Sequence, residues 1–363
     1  MDYTTTRSDG FQPRDYDLFA GMDVDKRSIA LTLVDELGQR KSIKMGYDPR
    51  GVLAYVRRNF PERRVAFVYE AGPTGFGLHD VIAGEGYPCL VVAPSLVPVV
   101  RGKRVKNNRL DSVKLAESLR GGQVSGIRVP VELYRELREL TQLRNTFVDH
   151  IRAAKYRIKA LLLRNGLEYP ECSKQSQWSM KVLGELRHLA CTPAVRFKLD
   201  RLLEDLEWSK SQALKTQRAL RTMLAGNEEL SESMRYLMSI PGIGWIIASF
   251  ALARIGDWRH LGRSEEMAGF FGLVPTENST GDHEDRGSIT KAGDPRLRCM
   301  MVQGAWMAIR KDAELRAFYE RIVSNHPRKI GSRVAIVAVA RKLATRMHCV
   351  LKERREYKAP SSR

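Results

Sequence analysis

Short apolar runs separated by turn residues fill the first third of the chain, and their spacing predicts alternating strands and helices. The strand-like runs are residues 18–24, 28–34, 40–45, 64–70 and 89–94. Helical spacing covers residues 49–59, about 77–85 and about 109–120. The turn residues Asp35–Gly38 predict a hairpin between the second and third strands. The predicted order is therefore three strands followed by alternating helices and strands.

A heptad pattern predicts a long helix in the middle of the chain. Apolar residues recur at every seventh position, at Leu133, Leu140, Phe147, Ala154 and Leu161. This spacing is typical of a coiled coil, and Arg144 interrupts the apolar residues at the offset positions. A second helical pattern runs from Val195 to Ala213, and turn residues at 164–170 separate the two. Two arrangements fit: a helical hairpin that dimerises, which we expect, and a bundle within one chain.

The last third of the chain predicts a compact, mainly α-helical domain. Pro241-Gly242-Ile243-Gly244 precedes a helical pattern at 245–255 and resembles the turn of helix-hairpin-helix DNA binders. In that role Gly242 and Gly244 would let backbone N–H groups approach a phosphate, whereas the same residues also make an ordinary interhelical turn. A polar loop follows, and helices are predicted at about 295–311 and 333–352. We therefore divide the chain into domains at 17–125, 130–225 and 234–352.

The charge composition of the chain favours a polyanionic binding partner. The chain has 363 residues, a formal net charge of +19 and a pI near 9.9, which suits nucleic acid. The five cysteines are scattered without a CxxC pair, so we expect no zinc site and a reducing cytoplasmic location. The longest apolar stretch, 334–340, is too short to span a bilayer, so we expect no membrane partner.

Four oxygen-bearing side chains occupy positions where a two-metal nuclease needs them. Asp23 and Glu70 lie at strand ends, and Asn108 and Asp111 share one face at the start of a predicted helix. Such oxygens can hold Mg²⁺ or Mn²⁺, which activate a nucleophile and stabilise a phosphodiester leaving group. A basic run beside them would attract a phosphate backbone or would simply be solvated; it comprises Arg101, Lys103, Arg104, Lys106 and Arg109.

The predicted element order is that of an α/β ribonuclease-H-like fold, and several short segments extend the likeness to the whole chain. They are Gly21–Val24, Tyr69–Gly75, Arg104–Asp111, Ile240–Gly244, Gly272–Pro275, Ser279–Gly281 and Ile289–Gly293. In order and spacing they resemble transposases of the insertion-sequence-110 family over about residues 18–350. That family combines a resolvase-like DEDD domain with a C-terminal transposase domain that carries a serine.

The resemblance implies roles for particular residues. The family's four metal-binding positions fall on Asp23, Glu70, Asn108 and Asp111, and its nucleophilic serine falls on Ser279. A gap of one residue would move the serine's position to Thr280, so that assignment stays open. The family's serine is thought to form a covalent phosphoserine with DNA. A non-coding bridge RNA pairs with donor and target DNA, so the resemblance implies an RNA-binding and DNA-binding dimer or tetramer.

The neighbourhood of Ser279 supplies candidate phosphate ligands. Arg286 and Lys291 could steady the reacting phosphate, or they could be solvated loop charges. About 170 residues separate Asp111 from Ser279, so we expect carboxylates and serine to meet only in an assembled complex.

Two other functions fit the same residues. In one, a resolvase-type nuclease uses metal-activated water and Ser279 is structural. In the other, the chain is a non-catalytic nucleic-acid scaffold, because Asn108 brings no charge where the family has an acid.

Overall fold

The computed structural model describes residues 11–96, 108–170, 178–277, 286–327 and 330–358. The chain forms two compact units, Met1–Val131 and Glu132–Arg363. The first unit combines a sheet with helices, and the second is mainly helical.

The first unit is built on a five-stranded sheet. Its strands are β1 (Leu18–Val24), β2 (Ser28–Asp35), β3 (Arg40–Gly46), β4 (Val65–Glu70) and β5 (Cys89–Val92). The spatial order is β3-β2-β1-β4-β5. The first three strands pair antiparallel as a meander, while β4 pairs parallel with both β1 and β5. Each strand lies within two residues of its predicted bounds. The order of strands and helices along the chain is also the one expected for a ribonuclease-H-like fold.

Helices cover both faces of this sheet, because apolar side chains alternate along the strands. Helices α1 (Pro49–Asn59) and α2 (Gly77–Gly84) contribute to one apolar cluster with Met22 and Tyr69. Helix α3 (Asn108–Arg120) contributes to a second cluster, with Phe19, Val68 and Val92. Alternate residues of β1 and β4 therefore face α3 on one side of the sheet and α1 and α2 on the other.

Helix α3 approaches β1 closely at Gly21. A Cβ atom on Gly21 would lie 2.2 Å from the carbonyl oxygen of Ser112 and 2.4 Å from the amide nitrogen of Ala116. The hydroxyl of Ser112 also lies 2.8 Å from that of Thr32 on β2, and Thr32 lies 2.9 Å from the hydroxyl of Ser42 on β3. The glycine and the hydroxyls together fix where α3 sits on the sheet.

The second unit begins with a helical hairpin. Helices α4 (Glu132–Arg164) and α6 (Pro193–Ala225) flank the shorter α5 (Met180–His188). Phe147 of α4 makes an edge contact with Trp208 of α6, and residues near the end of α4 pack with residues near the start of α6. The two long helices are thus antiparallel neighbours within one chain. The long heptad helix is confirmed, a coiled coil is not established, and dimerisation stays a prediction.

The remainder of the second unit is helical apart from one short hairpin. The helices are α7 (Glu228–Met238), α8 (Trp245–Ile255), α9 (Ser264–Phe270), α10 (Pro295–Lys311), α11 (Ala313–Ser324) and α12 (Gly331–Lys352). The strands β6 (Pro275–Glu277) and β7 (Arg286–Ile289) pair antiparallel where the sequence predicted only a polar loop. Within the described ranges no helix is both long and apolar enough to cross a membrane.

Candidate active site

The ends of β1 and β4 place two carboxylates side by side. Met22 pairs with Tyr69 in parallel register, so Asp23 and Glu70 occupy equivalent positions one residue further along each strand. Met22 and Tyr69 point into the α1–α2 cluster, and alternation therefore directs Asp23 and Glu70 toward the α3 face. Both are half-buried, which leaves them reachable from solvent.

The first turn of α3 brings a third carboxylate to the same place. Asp111 precedes Ser112, whose carbonyl contacts β1 at Gly21, two residues before Asp23. Burial raises the pKa of Asp23, and the negative charges of Asp25, Asp111 and Glu70 raise it further. Three carboxylates thus act on Asp23, and that mutual repulsion is what a bound cation would relieve.

The donor chemistry of this group suits a hard divalent cation, because its ligands are carboxylate oxygens. Among the described residues, however, no group of three or more Asp, Glu, His or Cys side chains is closed tightly enough to hold a metal ion. The residues therefore fit such an ion in type and in charge, and the carboxylates would have to draw together around it.

Several predicted site residues lie outside the described part of the chain. Asn108 and Arg109 open α3, but only their backbone is described. The other basic residues of that run fall on residues that are not described, namely Arg101, Lys103, Arg104 and Lys106. Ser279 and Thr280 also fall there, in the connection between β6 and β7, and the side chain of Arg286 is not described.

The base of the β6–β7 hairpin is tightly fixed. A Cβ on Gly272 would lie 2.2 Å from the carbonyl oxygen of Ala292, and one on Gly293 would lie 2.3 Å from that of Phe270. Only glycine allows this crossing, since both also have positive φ, +67° and +70°. Arg298 donates from Nη1 to the carbonyls of Phe271, Ala292 and Gly293. The segment that follows β7 is thereby locked against the segment that precedes β6.

Lys291 sits inside this crossing in a left-handed conformation, with φ +54°. Its amide donates to the carbonyl oxygen of Gly272 at 3.3 Å, while its side chain is exposed. A non-glycine residue at positive φ is uncommon and is retained where the surroundings impose it. The backbone of Lys291 is therefore held by the crossing, while its ammonium group is open to solvent.

The glycines of the Pro-Gly-Ile-Gly turn differ in their surroundings. Gly242 has φ +89°, and a Cβ there would lie 2.2 Å from the carbonyl oxygen of Gly304 in α10. Close packing against α10 thus requires glycine at 242, whatever its role toward phosphate. Gly244 is exposed, with nothing within 4 Å of its Cβ position, and it is the residue before α8. Of the two, Gly244 is the one open to a ligand.

Sequence reasoning missed three features of these sites. They are the contact of Gly21 with α3, the hydrogen bonds of Arg298 and the crossing at Gly272 and Gly293. The glycines at 272 and 293 are visible in the sequence as positions that could take a left-handed conformation. The backbone atoms that they contact are more than a dozen residues away in the chain. A contact between such segments cannot be read from local periodicity.

Comparison with known proteins places the chain among transposases. A family model for DEDD transposases of the IS110 type matches residues 20–165, and a model for the IS116/IS110/IS902 transposase family matches residues 234–320. The chain is a member of the IS110 family of transposases, which are enzymes that cut and rejoin DNA.

Individual relatives agree over nearly the full length. The protein y4qE of Sinorhizobium fredii, named as a transposase, is 31% identical over 93% of this chain and 89% of its own. The transposase for the insertion sequence element IS1111A of Coxiella burnetii is 25% identical over 93% of this chain and 90% of its own. Family membership implies DNA substrates and suggests dependence on a divalent metal.

Proposed function

We propose that this transposase cuts and rejoins DNA through a serine nucleophile beside metal-bound carboxylates, with a bridge RNA selecting the sites. The observation that carries the proposal is the convergence of Asp23, Glu70 and Asp111 at one end of a sheet of ribonuclease-H type. Burial raises the pKa of Asp23, and Asp25, Asp111 and Glu70 raise it further. Such repulsion does not stabilise the fold, and groups with a perturbed pKa often mark functional sites.

In this proposal Asp23, Glu70 and Asp111 would hold Mg²⁺ or Mn²⁺, with the amide oxygen of Asn108 as a neutral fourth ligand. The ion, when bound, would polarise the scissile phosphate and neutralise charge that develops on it. The carboxylates would orient the ion toward the scissile phosphate.

The serine step conserves the energy of the phosphodiester. The Oγ atom of Ser279 loses its proton and attacks phosphorus, and the bond from phosphorus to one deoxyribose oxygen breaks as that oxygen takes up a proton, so no net proton is gained or lost. Attack by a deoxyribose hydroxyl on the phosphoserine then restores a phosphodiester and frees the serine. The locked base of the β6–β7 hairpin supports this role, because it would hold the ends of the Ser279 loop still while strands exchange.

Guidance by a bridge RNA follows from the family resemblance and suits the net charge of +19. Arg286 and Lys291 would contact phosphates near the serine, and the run from Arg101 to Arg109 would attract the backbone toward the carboxylates. Gly244 would add an N–H contact at the start of α8.

The decisive experiment is recombination of the element ends, with and without the adjacent non-coding transcript. Wild type should form a covalent DNA adduct that survives denaturation, and Ser279→Ala should not, while Thr280→Ala serves as the matched control. An adduct in Ser279→Ala but not in Thr280→Ala would move the nucleophile to Thr280. Cleavage without any adduct would favour the nuclease that uses water, and no metal-dependent cleavage at all would favour the scaffold.

A mixture of Asp23→Ala and Ser279→Ala subunits tests whether different copies supply the carboxylates and the serine. Recovered recombination supports contributions from two protomers, and none argues against them.

A further inference from the structure

Four arginines gather where α4 passes the last turn of α8 and the first turn of α10. This arginine cluster consists of Arg138 and Arg144 on α4, Arg254 on α8 and Arg296 on α10. All four are half-buried and all belong to the second unit. The family resemblance assigned none of them a role.

Three of the four have partners within the protein. Arg138 donates to the carbonyl oxygens of Ala253 and Arg254, at 2.7 and 2.9 Å, and so caps the end of α8. Arg254 lies 2.5 Å from a carboxylate oxygen of Asp294. Arg296 pairs with Asp149 of α4. The carboxylates of Asp294 and Asp149 pair with members of the cluster, and Asp149 also pairs with the exposed Arg152, so positive charge is in excess.

Arg144 is the arginine that accounts for this excess of positive charge. Its Nε atom is buried and has no hydrogen-bond partner among the described residues. Burial lowers the pKa of Arg144, and the positive charge of Arg296 lowers it further. A buried N–H donor without a hydrogen-bond partner is costly, and a second positive charge near the same guanidinium adds to that cost.

The neighbouring Asn145 adds a second buried polar group to this part of α4. It is 8% exposed, and its Oδ1 atom is buried without a hydrogen-bond partner among the described residues. It lies one turn before Asp149 and two turns after Arg138, so the three share a face of α4. Rotation of the amide would present Nδ2, a donor, in place of Oδ1.

We propose that the arginine cluster is a binding site for a phosphodiester group of nucleic acid, with Arg144 and Arg296 as its principal ligands. A guanidinium matches two phosphate oxygens with two parallel N–H donors, so an anion between Arg144 and Arg296 satisfies both. The cluster adjoins Asp294, which caps α10 directly after the segment that follows β7. The inference rests on the nucleic-acid binding in the proposed function, not on the serine chemistry.

The test is the affinity of the full-length protein for a labelled DNA duplex and for a single-stranded RNA, both of unrelated sequence, over a range of salt concentrations. Arg144→Gln should weaken binding to one or both by roughly three- to ten-fold and reduce the salt slope by about 1. Arg157→Gln, which removes an exposed arginine from the same helix, is the matched control and should change affinity less than two-fold. The nucleic acid that responds identifies the source of the phosphate.

A second variant guards against a general defect in folding. Asp149→Asn removes the carboxylate that pairs with Arg296 and with the exposed Arg152, and it should tighten binding, a change that a merely structural network would not produce. The inference fails if Arg144→Gln and Asp149→Asn bind both nucleic acids like Arg157→Gln. A wild type that binds neither nucleic acid would instead overturn the proposed function.

Discussion

The contact between α3 and β1 makes Gly21→Ala the most direct test of how the candidate active site is built. The added methyl carbon would lie 2.2 Å from the carbonyl oxygen of Ser112, 2.4 Å from the amide nitrogen of Ala116 and 2.9 Å from its Cα. All three are backbone atoms, so no change of rotamer relieves the contact. Ordinary contacts begin near 3.4 Å, so α3 must move away from the strand by about 1 Å.

That movement has two measurable effects. Overpacking of this kind costs about 1–3 kcal/mol of unfolding free energy, which calorimetry or chemical denaturation will detect. Asp111 moves with Ser112, and a displacement of about 1 Å at reacting groups can lower a rate roughly 100-fold. We therefore expect recombination of the element ends to fall far more than the small loss of folded protein explains.

Gly46→Ala is the matched control, because it adds the same methyl to a strand of the same sheet where nothing lies within 4 Å. It should leave both stability and recombination near wild type. The reasoning is refuted if Gly21→Ala melts and recombines like Gly46→Ala. If Gly21→Ala lost stability but its folded fraction recombined fully, the close packing at Gly21 would not be what positions Asp111.

Three further predictions address charge and backbone strain. Without divalent cations, Asp23→Asn should raise the melting temperature at pH 7. Because the raised pKa of Asp23 disfavours its ionised form in the folded state, this gain should shrink as pH falls and vanish below the ordinary value of 3.8; a gain independent of pH would contradict the carboxylate repulsion. Asp312→Ala should cost about 3–5 kcal/mol, since Asp312 is buried, caps α11 and binds Arg346, while Glu314→Ala removes an exposed partner of the same arginine and should cost less than about 1 kcal/mol. Equal losses in urea denaturation would argue against it. Gly293→Ala should lower the melting temperature and reduce DNA adduct formation, because its methyl meets the Phe270 carbonyl at 2.3 Å; Gly269→Ala, with open space around it, should do neither.

The sheet could be predicted from sequence because its strands alternate between two buried faces and end at turn residues. Asp23 and Glu70 were identifiable for the same reason, since each ends an apolar run, and the parallel pairing of β1 with β4 brings them together. The helix pattern in the middle third was equally clear, because its apolar residues keep their spacing over the whole of α4.

Other elements left weaker signals. Helix α5 is short and contains Gly184, which lowers helical propensity, and its stability comes from packing Val182, Leu183 and Leu186 against α4 and α6. Helix α11 leaves a weak apolar pattern, because Leu315 is the one residue on it that is buried. Strands β6 and β7 contain too few residues for alternation to register.

The hydroxyls between the sheet and α3 help to determine the position of α3 along its own axis. If a helix slides along a sheet by one turn, about 5.4 Å, its buried leucines can pack against new apolar neighbours at a modest cost in free energy. The hydrogen bond between Thr32 and Ser112 opposes such a slide, because both hydroxyls are buried and the movement would break the bond where water cannot replace it. The two hydroxyls thus select a single axial register for the helix and, with it, the position of the neighbouring Asp111. Buried hydroxyls that take no part in the proposed chemistry thereby help to determine where a candidate metal ligand lies.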